Sequence, residues 1–301
     1  MLDTRHAILN DARRPVTDAE GCTRVRWALG IGHWALCIVL ILPSPASAWG
    51  FEAHKFIMDR AIALLPADLR PIFERHRAVV VERSIDPDTW IIVGRFEEEA
   101  PHHFLDIDAY GQYPFRELPR DYAAAVKKFG ERRVQRDGTV PWRAQEYFDR
   151  LRMAFDTMRQ RGGVNAELDA IRIAAALAHY VSDSVQPFHA VVNYDGQLTQ
   201  QQGVHSRFET ALFQRFSTQL AIAPSPIAPV RDMRGAIFDA LIEGTRLVPA
   251  ILQADRTAAG GRQVYDDAYF AAFFREAKPV LERRLNESIA LVAASISGAW
   301  R

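Results

Sequence analysis

Cysteine is nearly absent: the 301-residue chain has two, Cys22 and Cys37, and both precede the point at which its N-terminal segment reads as removable. A chain processed there keeps no thiol. Neither disulfides nor thiolate ligands could then brace it, so the fold must be held by its core or by metal bound through other side chains. Charge of one sign is lacking as well. Lysine plus arginine and aspartate plus glutamate stand at 37 each, so no overall field draws the protein to nucleic acid or to an anionic membrane. Alternating strand-like runs, internal repeats and low-complexity tracts are missing, which argues against a sheet protein, a solenoid or a disordered chain. The 49% of apolar residues suffice for a full core.

No apolar run reaches the roughly 20 residues that a membrane-spanning helix needs. The longest, from Trp27 to Leu42, follows Arg24 and Arg26, runs into Pro43 and Pro45, and precedes the small-x-small sequence Ala46-Ser47-Ala48. That order is the pattern of an export signal. Residues 1–48 therefore read as a signal peptide, whose polar first 23 residues look like an extension from a start codon placed too far upstream. Residues 49–301 read as the mature domain, beginning at Trp49 and lying in the periplasm or outside the cell. The removed segment carries five basic and four acidic residues, so the mature charge stays near neutral.

Helical spacing runs through the mature part. A first helix is expected from Ala53 to Leu65, ended by Pro66, and a second from Asp68 to Val81 with Pro71 in its first turn. The Asp86-Pro87-Asp88 sequence reads as a turn and residues 101–114 as an ordered loop. Further helices are expected over Asp121–Phe129, Trp142–Arg161, Asn165–Val185, Met233–Val248 and Tyr265–Trp300, the last broken near Pro279. Residues 193–202 and the proline-rich 222–230 read as connections. The expected fold is all-α, a multi-helix bundle in a single domain.

The most informative stretch is residues 179–209. His179 and Asp183 stand four apart, as do His205 and Glu209, so on a helix each pair projects from one face; His189 lies between the pairs. A lone histidine is more often a core or surface residue than a ligand. Five imidazole and carboxylate ligands exceed what one tetrahedral zinc takes, which points to a cluster of ions.

Taken together, Trp49 at the expected mature N-terminus, His54 shortly after it, HFLD at 103–106, HYVSDSVQPFH at 179–189 and HSRFE at 205–209 resemble the zinc-dependent phospholipase C and S1/P1 nuclease superfamily. These motifs span most of the mature chain. The resemblance implies an exported all-helical protein with three zinc ions in a cleft. Carried over residue by residue, it implies that the amine and carbonyl of Trp49, with His54 and Asp183, hold one zinc, and that Asp183 bridges to a second held also by Asp88, His103 and His179. His189, His205 and Glu209 would hold the third. An α-amine titrates near 7.7–8.0 in model peptides, so a metal displaces its proton cheaply, and signal cleavage would create a ligand. Asp86 competes with Asp88, and His102 with His103. The HFLD run and a 15-residue separation like that of the family favour Asp88 and His103. Asp106 is a candidate acceptor for a ligand histidine's other N–H. Ser182 and Ser184 depart from the family pattern.

Three clustered zinc ions suit phosphate-ester hydrolysis, neutralising phosphoryl oxygens, acidifying water and stabilising the leaving oxygen. Asp88 is then a candidate general base, the role suggested for the matching family carboxylate. The expected function is phospholipase C, cleaving a phospholipid to diacylglycerol and a phosphorylated headgroup, with transient contact to a membrane surface. Glu209, the neutral charge and the missing mature cysteines favour it. The alternative is an S1/P1-type nuclease acting on single-stranded nucleic acid, which more often has aspartate at the position of Glu209 and stacks bases on aromatic side chains. A third reading is a secreted zinc-binding protein without activity.

Overall fold

Between residues 140 and 161 the buried side chains Ala144, Tyr147, Phe148, Leu151, Phe155 and Met158 recur every third or fourth position, while Arg150, Arg152, Asp156 and Arg159 are exposed. This is the spacing of a helix with one face on a core. The computed structural model describes residues 49–261 and 264–301, so the signal-peptide reading of residues 1–48 lies outside the described part. Among the described residues the chain is all-α, with no strand. In chain order the helices are α1 (Phe51–Ile62), α2 (Arg70–Arg75), α3 (Arg77–Arg83), α4 (Asp86–Trp90), α5 (Phe96–Glu99), α6 (Tyr122–Phe129), α7 (Glu131–Arg136), α8 (Val140–Arg161), α9 (Val164–Val185), α10 (Val204–Ser206), α11 (Leu212–Phe216), α12 (Met233–Ala259) and α13 (Asp267–Trp300). None of them is long and apolar enough to cross a membrane.

Helices α8, α9, α12 and α13 pack on one another, with α1 laid against α9 and α13 and α3 against α9. Every residue of α9 from Ala174 to Val185 is buried, which accounts for its nearly continuous apolar sequence: a helix surrounded on all sides has no polar face. His179 and Asp183 are thus presented from the most enclosed element of the fold.

Several expectations are corrected. The helix expected over residues 68–81 is two helices, because His76 has φ −107° and ψ 19°. Its ring and Arg75 both engage Glu167 near the start of α9. The Asp86-Pro87-Asp88 turn is the opening of α4, with Pro87 in the first turn, where its fixed φ suits a helix and its missing N–H costs nothing. Helix α12 continues to Ala259 through Pro249, and α13 runs unbroken through Pro279. Both prolines are exposed, so water can serve the carbonyl that each leaves without a helical partner. Residues 222–230 do connect helices, but as an extended strap on α13. Ala223 N–H donates to Asn286 and Val230 N–H to the Ala294 carbonyl.

The loop before α6 is pinned from the other side. Thr139 N–H donates to the Pro101 carbonyl, Val140 N–H to that of Phe104, and Asp106 N–H to that of Asp137. Gly138 makes this possible: it has φ +98°, and a Cβ there would sit 2.2 Å from the Phe104 carbonyl oxygen. Gly138→Ala is therefore expected to cost about 3 kcal/mol or more from backbone strain plus displacement of the loop. Chemical denaturation would measure the loss, and an unchanged midpoint would refute this account of the loop.

Candidate metal centre

Separate elements aim side chains at one buried region. His54 comes from α1, Asp88 from the first turn of α4, His103 from the end of a 3-10 turn over residues 100–102, and His179 and Asp183 from α9. The Pro187–Ala190 turn after α9 supplies His189, α10 supplies His205, and the wide π-helical turn Arg207–Ala211 supplies Glu209. All eight are buried, none more than 5% exposed. They form three groups that could each hold a metal ion: His54, His179 and Asp183; Asp88, His103 and His179; and His189, His205 and Glu209. Asp86 lies outside, a quarter exposed and paired with Arg83. His102 also lies outside, with its Nδ1 on the Thr139 hydroxyl.

The first two groups share His179, and Asp183 of the first also reaches His103 of the second. Asp183 Oδ1 is 3.3 Å from His54 Nε2, and its Oδ2 is 3.0 Å from His103 Nδ1 and 3.2 Å from His179 Nε2. Asp88 Oδ1 is 3.6 Å from both His103 Nδ1 and His179 Nε2. In the third group His205 Nε2 lies 2.9 Å from Glu209 Oε2, and the amide of Gln186 donates to that same oxygen.

The protonation pattern follows from the outward partners. His179 Nδ1 faces the Ser84 carbonyl at 2.9 Å and His189 Nδ1 the His103 carbonyl at 2.7 Å. Carbonyls only accept, so in both rings Nδ1 carries the proton and Nε2 presents a lone pair. The Ser182 hydroxyl donates to carbonyls within α9, so it accepts from His54 Nδ1 at 2.9 Å and turns the lone pair of His54 Nε2 towards Asp183. Burial holds the His54, His103, His179 and His189 rings below their ordinary range, keeping them neutral. Burial also lowers His205, but the neighbouring Glu209 carboxylate outweighs it and leaves the ring raised.

The carboxyls shift the other way. Burial, aided by Asp183 and Glu209, pushes Asp88 up to about 8, and burial with Glu209 holds Asp183 well above the carboxylate range. Buried His54 Nε2, His205 Nδ1 and Nε2, Asp88 Oδ2 and Asp183 Oδ1 have no hydrogen-bond partner. Ring nitrogens and carboxyl oxygens buried together and left without hydrogen-bond partners are a donor set that a divalent cation satisfies once it displaces their protons.

This chemistry fixes how binding depends on pH. Asp88 and Asp183 titrate above their unfolded value of about 3.9, so their contribution to metal-free stability is full below that value and is lost as pH rises through their folded values, which for Asp88 is about 8. A cation needs the ionised forms and offsets that loss. The four lowered histidines act oppositely and destabilise the metal-free fold below about 6.5. Metal binding is therefore expected to release protons and to tighten as pH rises from 6.5 to 8. Titration calorimetry in buffers of differing ionisation enthalpy would measure the release, and binding with none would contradict it.

Trp49 is fully buried and its indole N–H donates to the Ser182 carbonyl, holding Trp49 against the end of α9 that carries Asp183. Its ring tilts against Phe208, which in turn meets Phe188. Asp106 is a correction: it makes no bond to a histidine of the groups. It lies near Asp108 and Asp137, and burial pushes its carboxyl up to about 7. The outward acceptors are instead Ser84, Ser182 and a backbone carbonyl. These partners escaped the sequence because two are main-chain atoms; only Gln186, between two ligand candidates in SVQPFH, left a local signal. Compared with known proteins, the chain matches no family model and no curated relative.

Proposed function

We propose that this protein is an exported zinc-dependent phosphodiesterase, acting as a phospholipase C of the superfamily that its motifs resemble. The observation that carries the proposal is the set of three buried histidine–carboxylate groups, two of them sharing His179 and linked again by Asp183, which reaches His103 of the second group. Structural zinc sites close around one ion with four protein ligands, whereas groups that share ligands suit adjacent ions. In this reading the amine and carbonyl of Trp49, with His54 and Asp183, would hold one zinc, Asp183 with Asp88, His103 and His179 would hold a second, and His189, His205 and Glu209 would hold the third. Zinc held there would supply charge neutralisation for the phosphoryl oxygens, acidification of water and stabilisation of the leaving oxygen.

The chain's own residues do the rest. Asp88 directs Oδ1 at two histidines and leaves Oδ2 unpartnered, so Oδ2 can orient a water and take its proton. Water adds across the phosphorus–oxygen bond on the glycerol side, giving diacylglycerol and the phosphorylated headgroup. A lipid substrate is supported by apolar side chains close in sequence to the site. Ile92 and Val93, shortly after Asp88, are 62% and 74% exposed, and Leu198, beyond His189, is 69% exposed. Such side chains suit acyl chains better than a polyanion.

Metal analysis of the purified protein, with parallel assays on phosphatidylcholine and single-stranded DNA, tests the proposal. Three zinc ions and diacylglycerol release are expected. Nucleotide release without diacylglycerol would overturn it in favour of a nuclease, and three ions with neither product would leave a zinc-binding protein.

A further inference from the structure

We propose that Glu99 is a positioning residue for His103, given the reading above that Asp88, His103 and His179 hold a metal ion. The rings of His54, His179 and His189 each have an outward nitrogen fixed by a hydroxyl or a carbonyl. His103 differs. Its Nδ1 is the nitrogen turned to Asp88, Asp183 and His179, while its Nε2 is buried without a hydrogen-bond partner. On that side stands Glu99, four residues earlier, with Oε1 at 3.7 Å from Nε2.

Glu99 is itself held in place. It is 5% exposed, accepts the hydroxyl of Tyr180 on Oε1, and takes Arg143 on Oε2 at 3.1 Å. Tyr180 directly follows His179 on α9, and Arg143 stands in the first turn of α8, its guanidinium lying over the rings of Tyr147 and Tyr180. The carboxylate is thus tied to two core helices before it meets the histidine. At 3.7 Å the link is longer than a hydrogen bond and acts as a field: negative charge beside Nε2 favours the tautomer protonated there. That tautomer leaves the Nδ1 lone pair for the metal and makes the ring a stronger donor. Without this bias a proton on Nδ1 would be drawn to Asp183 Oδ2, 3.0 Å away, and would compete with the ion.

The plainer role for Glu99 is to neutralise Arg143. Glu99→Gln separates the two, since glutamine keeps the size and an acceptor but loses the charge. The expected result is three zinc ions at saturation, with one site weakened about ten- to a hundredfold in chelator competition and the other two unchanged. A Glu99 that only served Arg143 would lower the melting temperature of the variant and leave every site's affinity as in the wild type, which would overturn the proposal. A measurement on the wild type stands apart from the variant's folding. In the zinc-loaded protein with ¹⁵N-labelled histidine, the His103 signal, identified by its loss in His103→Asn, is expected to show a protonated Nε2 and a metal-bound Nδ1. Metal on Nε2 would overturn the proposal. A wild-type protein that binds no zinc would instead bring down the metal reading on which it rests.

Discussion

Replacing Asp183 by asparagine is expected to remove two metal ions from the protein and to lower phosphodiesterase activity by more than a hundredfold. The side chain is fully buried, with one oxygen on His54 and the other on His103 and His179. Asparagine keeps the volume but deletes the charge, and whichever way its amide turns, one group of lone pairs meets an N–H instead of an oxygen. Residues that merely orient a ligand cost about ten- to a hundredfold when lost, so losing the shared ligand itself costs more. Zinc content should fall from three to one, because in the proposed assignment Asp183 serves two sites and only that of His189, His205 and Glu209 takes nothing from it. Asp86→Asn, on an exposed pair with Arg83, should leave both content and activity unchanged. An Asp183→Asn protein with a full zinc complement would end the bridging assignment.

Stripping the metal is expected to lower the melting temperature by roughly 15–30 °C. Eight buried imidazole and carboxylate side chains face one another in the interior, an arrangement that is costly when nothing compensates it. With free zinc about a hundredfold above its dissociation constant, each site adds about 2.7 kcal/mol. Three such sites contribute about 8 kcal/mol, and in a domain of this size each kcal/mol moves the transition by about 2–4 °C. Thermal scans with and without a chelator, followed by zinc add-back, read this directly. A transition indifferent to chelation would show that the interior carries its polar cluster unaided and would remove the main support for the metal centre.

Much of this was legible in the chain because it depended on local spacing. The i, i+4 pairs His179/Asp183 and His205/Glu209 projected from one face as helix geometry requires, although the second pair sits where α10 passes into a π-helical turn rather than on a regular helix. Helical periodicity located α8 and α9 to within two residues. It failed where a single residue decided: His76, whose ring anchors on Glu167, splits one expected helix, while the helix expected to end at Val248 and the one expected to break near Pro279 both continue, because Pro249 and Pro279 face solvent, where a helix tolerates them. The same spacing of four linked Glu99 to His103, but a run of three glutamates reads as a solvated face. Only the packing of α8 and α9 shows Glu99 to be buried.

The sequence by itself determined the all-α class and the concentration of metal-capable side chains in residues 179–209, since those follow from composition and from a period of 3.6 residues. Tertiary structure placed Asp88 and His103 in the buried groups and Asp86 and His102 outside them, set which ring nitrogen each histidine turns inward, and placed Ser84, Ser182, Glu99 and Gln186 behind the cluster. Each of these depends on contacts between residues that lie far apart in the chain or on partners in the main chain. Local pattern carries no record of either, because the side chain's identity is fixed by the sequence while its neighbours are fixed only when the helices pack.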